Sequence, residues 1–73
     1  MSMNDKLAMM ANQIARNLQA RGDETAIAET ADHIAKFWDP RMRKDIAAYL
    51  EGGGDRLSPI AAKAVRRLID RSA

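Results

Sequence analysis

An all-α fold, a small bundle of three to four short helices, is what this sequence predicts. Apolar residues recur at steps of three and four in four separate stretches, the spacing of one helix face. Glycine and proline fall between those stretches, where they punctuate helices. Nothing reads as strand, since Val65 is the only valine and no apolar alternation of four residues exists outside helical spacing. With 73 residues the chain is expected to form a single helical domain over 1–73, because one core typically organises about 50 to 200 residues.

The first helix is expected over about residues 3 to 20, with Met3, Leu7, Met10, Ile14 and Leu18 as its core stripe. Ser2 and Asp5 have the spacing of a capping box at its start. Met9 points about 100° away from Met10, so it shares the opposite side with Gln13 and Arg16. The helix stops at Arg21-Gly22, where glycine can take the left-handed conformation that closes helices.

Asp23 is a ready N-cap for a second helix, about 24 to 38, whose stripe is Ile27, Ala31, Ile34 and Trp38, with Phe37 joining Thr30 and Ile34 at its edge. Proline disfavours helical geometry in the residue before it, and Asp followed by Pro is also a strong helix start. Asp39-Pro40 therefore ends one helix and begins the next. Met42, Ile46, Tyr49 and Leu50 mark the third stripe, which Gly52-Gly53-Gly54 breaks as a flexible turn. Ser58-Pro59 repeats the cap-plus-proline start, and Ile60, Ala64 and Leu68 with Ala61 and Val65 give a short fourth helix.

Composition narrows the function classes. The absence of cysteine excludes a disulfide framework and a zinc-thiolate site. Twelve basic against ten acidic side chains give a net charge of +2. The balance is uneven, −1 over residues 1–38 and +3 over residues 39–73. That is a thinner basic stripe than phosphate-tracking proteins usually carry, so nucleic acid is not the expected partner. The apolar run Leu7-Ala8-Met9-Met10-Ala11 is too short for a signal-peptide core or a membrane span, which makes a soluble cytoplasmic chain with no membrane contact the plain expectation. Few large apolar side chains are available for both a core and a docking face. The chain should therefore be marginally stable alone, or self-associate, and gain from a partner.

Catalytic chemistry finds little to work with. His33 is the only side chain with an unperturbed pKa near neutrality, flanked by Glu29 and Asp32, and no third metal ligand joins it. It reads as a surface imidazole near Phe37. Ser58 reads as a cap, and the glycine triplet lacks the strand before it and the Gly-Lys-Ser/Thr after it that a phosphate loop requires. No catalytic residue, cofactor or metal site is expected. A binding surface is the better use of the remaining residues: exposed Met9 suits an adaptable contact, and Trp and Arg are enriched at binding hot spots.

The stretch Met10-Ala11-Asn12-Gln13-Ile14-Ala15, then Asp32-His33-Ile34 leading into Phe37-Trp38-Asp39-Pro40-Arg41-Met42-Arg43, then Gly52-Gly53 and Leu57-x-Pro59, resembles the delta subunit of bacterial NAD-dependent formate dehydrogenases over about residues 7 to 69. The chain departs from that pattern at Ala20 to Thr25, a segment of variable length, and at Asp55-Arg56, which charges the glycine loop. The resemblance implies a cofactor-free accessory subunit of a cytoplasmic complex. In such a complex the large alpha subunit carries a molybdenum or tungsten pterin centre and iron-sulfur clusters, and other subunits handle flavin and NAD.

Docking on the large subunit in support of assembly, maturation or stability is the function so implied. The candidate partner-binding residues are Met9, Gln13, His33, Trp38, Arg41 and Arg43. Trp38 is expected to anchor the turn from within the core. Arg41 and Arg43 lie about 200° apart on the third helix, so one of them should dominate docking. Two alternatives belong to other classes: a small helix-turn-helix nucleic-acid binder using Arg66, Arg67 and Arg71, and a free-standing maturation chaperone.

Overall fold

The computed structural model describes residues 2–72. Four helices follow one another: α1 (Met3–Leu18), extended by a 3-10 turn over Gln19–Arg21, α2 (Asp23–Phe37), α3 (Pro40–Glu51) and α4 (Pro59–Ser72). Local chemistry sets most of the boundaries. Ahead of α1 the Asp5 amide donates to Ser2 Oγ at 3.2 Å and the Ser2 amide to Asp5 Oδ2 at 3.4 Å, the reciprocal bonds of a capping box. Asp39 accepts from the Met42 amide at 2.8 Å and Pro40 follows at the first helical position, so the expected stop-and-start dipeptide holds. Ser58 Oγ accepts from the Ala61 amide at 3.3 Å ahead of α4.

The start of α2 differs from expectation. Gly22, not Asp23, occupies the cap position, and no side chain caps the helix there. Its φ of +98° and ψ of 150° lie where a side chain is strongly disfavoured, so glycine alone can turn the chain this sharply. Asp23 becomes the first helical residue, where with Glu24 it places negative charge at the positive end of the helix dipole.

The core lies along the α2–α4 seam, the most extensive of the interhelical contacts, and α1 closes over it while also meeting α3 and α4. Ala31, Ile34 and Trp38 from α2 and its end join Ala61, Ala64, Val65 and Leu68 from α4, Ile46 from α3, and Leu7, Ala11 and Ala15 from α1 in one cluster. Alanine lets helices approach closely, and here it displaces larger residues from the interior. The buried face of α1 is Leu7, Ala8, Ala11 and Ala15. Its centre is about 100° from Met10 on the helical wheel, and Met10 is 42% exposed. The expectation that Met3 and Met10 belong to the core is thereby corrected, since both are exposed.

Exposed ion pairs stitch the same seam: Arg67 to Glu24 at 2.7 Å and Arg71 to Asp32 at 2.9 Å. The hydrogen bond and charge of Arg67 hold the Glu24 carboxyl below its ordinary pKa. Such pairs align helices more than they stabilise them.

The segment between the glycine turn and α4 is hydrogen-bonded to α1 and α3. Asn12 on α1 donates through Nδ2 to the Arg56 carbonyl at 2.7 Å and accepts through Oδ1 from the Ser58 amide at 2.8 Å. The Arg56 amide donates to the Tyr49 hydroxyl at 3.0 Å, and its guanidinium pairs with Asp5 at 3.3 Å. One amide side chain thus satisfies two groups of a turn more than forty residues away.

Thr30, fully buried in α2, carries a hydroxyl with no hydrogen-bond partner among the described residues. An unsatisfied buried hydroxyl costs about 1–3 kcal/mol. Thr30→Val, which replaces the hydroxyl by a methyl of similar size, should therefore raise the stability of the free chain by about 1 kcal/mol or more in chemical denaturation. A loss of stability in that variant would show that the hydroxyl is satisfied by a group such as a buried water.

Among the described residues no helix is long and apolar enough to cross a membrane.

Candidate functional site

The α2–α3 corner concentrates the unusual chemistry of the chain, and most of its residues are engaged in making the corner itself. Trp38 leaves α2 with extended backbone, φ −88° and ψ 139°. Its amide still donates to the Ile34 carbonyl at 3.1 Å, and its side chain, 4% exposed, enters the core. Asp39 and Pro40 start α3 as described. Arg43, one turn into α3, reaches back to the end of α2, where its Nη1 donates to the Trp38 carbonyl at 2.5 Å and to the Ala35 carbonyl at 3.3 Å. Terminal carbonyls of a helix lack intrahelical partners and carry the negative end of its dipole, so a guanidinium there both satisfies and neutralises them. Met42 packs partly buried against the core.

Two residues of the same string make none of these contacts. Phe37, expected at the edge of the core, is 73% exposed. α2 turns Trp38 inward, and its predecessor on the helix is rotated about 100° outward. The Phe37 ring meets the His33 ring, at 4.8 Å between centroids and tilted by 44°. Arg41 is exposed at the start of α3 and makes no ion pair among the described residues. The corner therefore presents an aromatic pair on α2 and a guanidinium on α3, on either side of the Trp38-Asp39 turn.

The other predicted residues fall as follows. Met9 and Gln13 lie exposed on the outer face of α1, lining a shallow depression with Asn12 and Arg16. His33 is exposed, and its acidic neighbours are engaged elsewhere: Asp32 with Arg71 and Glu29 with Arg21 at 2.9 Å. Trp38 is buried in the core, and Arg43 is half-buried with its guanidinium on the Ala35 and Trp38 carbonyls. Arg67 and Arg71, two of the arginines on which the nucleic-acid alternative rests, are paired with α2 carboxylates.

Sequence reasoning missed Asn12 and Phe37. The bonds of Asn12 reach 44 and 46 residues along the chain, and no local pattern signals them. For Phe37 a signal existed: the stripe Ile27, Ala31, Ile34 is completed by Trp38, which leaves Phe37 one residue out of phase and one turn after His33.

No curated protein and no solved structure matches the chain. The family model for the NADH-dependent formate dehydrogenase delta subunit, FdsD, matches residues 6–65, a span that includes the Asn12 clamp, the whole α2–α3 corner and the glycine turn. The chain belongs to the FdsD family of formate dehydrogenase delta subunits.

Proposed function

We propose that the protein is a cofactor-free accessory subunit that docks on the large catalytic subunit of a cytoplasmic NAD-dependent formate dehydrogenase and supports its assembly, maturation or stability. Family membership carries this reading. The corner supports it: Phe37 is a large ring left in solvent, and Arg41 is a guanidinium without a partner among the described residues. Phe37, His33 and Arg41 form the docking surface, Met9 and Gln13 provide a second contact on α1, and Trp38 and Arg43 position the corner. The mechanism is linkage. A subunit that binds only the correctly folded or cofactor-loaded partner stabilises that form, by about 2.7 kcal/mol when present at 100 times its dissociation constant.

Purifying the enzyme from cells that make or lack this chain tests the proposal. The chain should co-elute with the large subunit in size-exclusion chromatography, and the enzyme made without it should lose activity faster on warming. An enzyme of unchanged yield and thermal half-life, with the chain eluting alone, overturns the proposal. Lower yield without co-elution would instead identify a free-standing chaperone.

A further inference from the structure

A groove of about 640 Å³ runs between the end of α2, α3 and α4, and shares Ala35, Pro40 and Arg43 with the α2–α3 corner. Its floor is apolar, formed by Ala35, Pro40, Ala47, Leu68 and Ile69. Its rim carries three cations, Arg43, Lys44 and Arg71, against the single carboxylate of Glu51. Arg43 and Arg71 each use one terminal nitrogen internally, on the α2 carbonyls and on Asp32. Lys44 is exposed and pairs with no described residue. Apolar ground between two helices with excess positive charge on its edges fits a third helix that carries apolar side chains on one face and carboxylates beside them. A small molecule is a poorer occupant, because such ligands are usually enclosed over most of their surface and this groove is open.

We propose that the α3–α4 groove receives an acidic amphipathic helix of another subunit of the formate dehydrogenase complex, making a second contact that adjoins the α2–α3 corner but does not include Phe37, His33 or Arg41. The inference rests on the accessory-subunit reading. The acidic flank meets Lys44 first, and the apolar face settles over Ala47 and Ile69. The groove thereby adds specificity for its occupant through charge, and affinity through buried apolar area.

The whole complex, carrying Ala47→p-benzoylphenylalanine in this chain, would be irradiated and the cross-linked peptide sequenced. The expected product joins Ala47's position to a segment of another subunit with apolar residues at i, i+3 or i+4 and i+7 and with flanking Asp or Glu. Independently, Lys44→Glu should weaken association with the complex at least about ten-fold at low salt, with the melting curve of the free chain unchanged. A cross-link to a second copy of this chain or to a polar or basic segment overturns the groove proposal. So does no cross-link in an assembled complex, or a Lys44→Glu chain that binds normally. If a variant at Phe37 and Arg41 leaves the complex while the groove variants stay bound, only the groove proposal falls. If the unaltered chain is found in no complex, both fall.

Discussion

Trp38→Ala should cost the free protein about 3–5 kcal/mol, the range for emptying an aromatic core position. The indole is 4% exposed and belongs to the central cluster with Ile34, Ile46, Val65 and Leu68. A cavity there has little to fill it, because so much of the surrounding core is alanine, whose side chain has no rotamers with which to relax. The residue also ends α2, and its carbonyl is held by Arg43, so the loss would loosen the corner as well as the core. Domains commonly have about 0.05–0.15 kcal/mol of stability per residue, which for a chain this short is of the same size as the expected loss. The variant should be largely unfolded at 37 °C by far-ultraviolet circular dichroism, while Trp38→Phe should retain most of its helicity. An alanine variant with the denaturation midpoint of the parent would show that the indole does not support the core.

The fold was legible where the determining interactions are local. The Ser2–Asp5 box, Asp39-Pro40 and Ser58 are each settled within three residues of themselves, and the structure contains all three. The stripe Ile27, Ala31, Ile34, Trp38 was legible because these residues are both apolar and in phase, and all four are buried. The errors have one physical origin each. Weighting residues by size selected Met10 for the α1 stripe, whereas closeness of approach selects Ala8, Ala11 and Ala15, which a list of large hydrophobes passes over. Asp23 has the chemistry of a cap, but the backbone turn at Gly22 requires glycine and shifts the boundary by one residue. Asn12 and Arg43 act on partners that only the folded chain brings near. For Asn12 those partners lie 44 and 46 positions away, so no local pattern marks it as a clamp.

The same division between corner-building and corner-presented residues makes the strongest test of docking. Of the arginine pair, Arg43 is occupied with the carbonyls of Ala35 and Trp38, so under the proposed docking Arg41 is the one to fork onto a carboxylate or backbone carbonyl of the large subunit. Phe37 complements it as a large apolar side chain of the corner, 73% exposed. Phe37→Ala with Arg41→Ala should weaken association with the large subunit by about 2 kcal/mol or more, roughly thirty-fold. The free chain should unfold within about 0.5 kcal/mol of the parent, because neither side chain is buried. Arg43→Ala should behave in the opposite way, lowering the melting point of the free chain by leaving part-buried carbonyls unsatisfied. Co-purification titrated against salt, with melting of each free variant as the control, separates the two. If the double variant stays bound at full stoichiometry while Arg43→Ala alone is released without loss of stability, the corner would dock through Arg43 after exchanging its internal bonds for partner ones, and the assignment of Arg41 and Phe37 would be wrong.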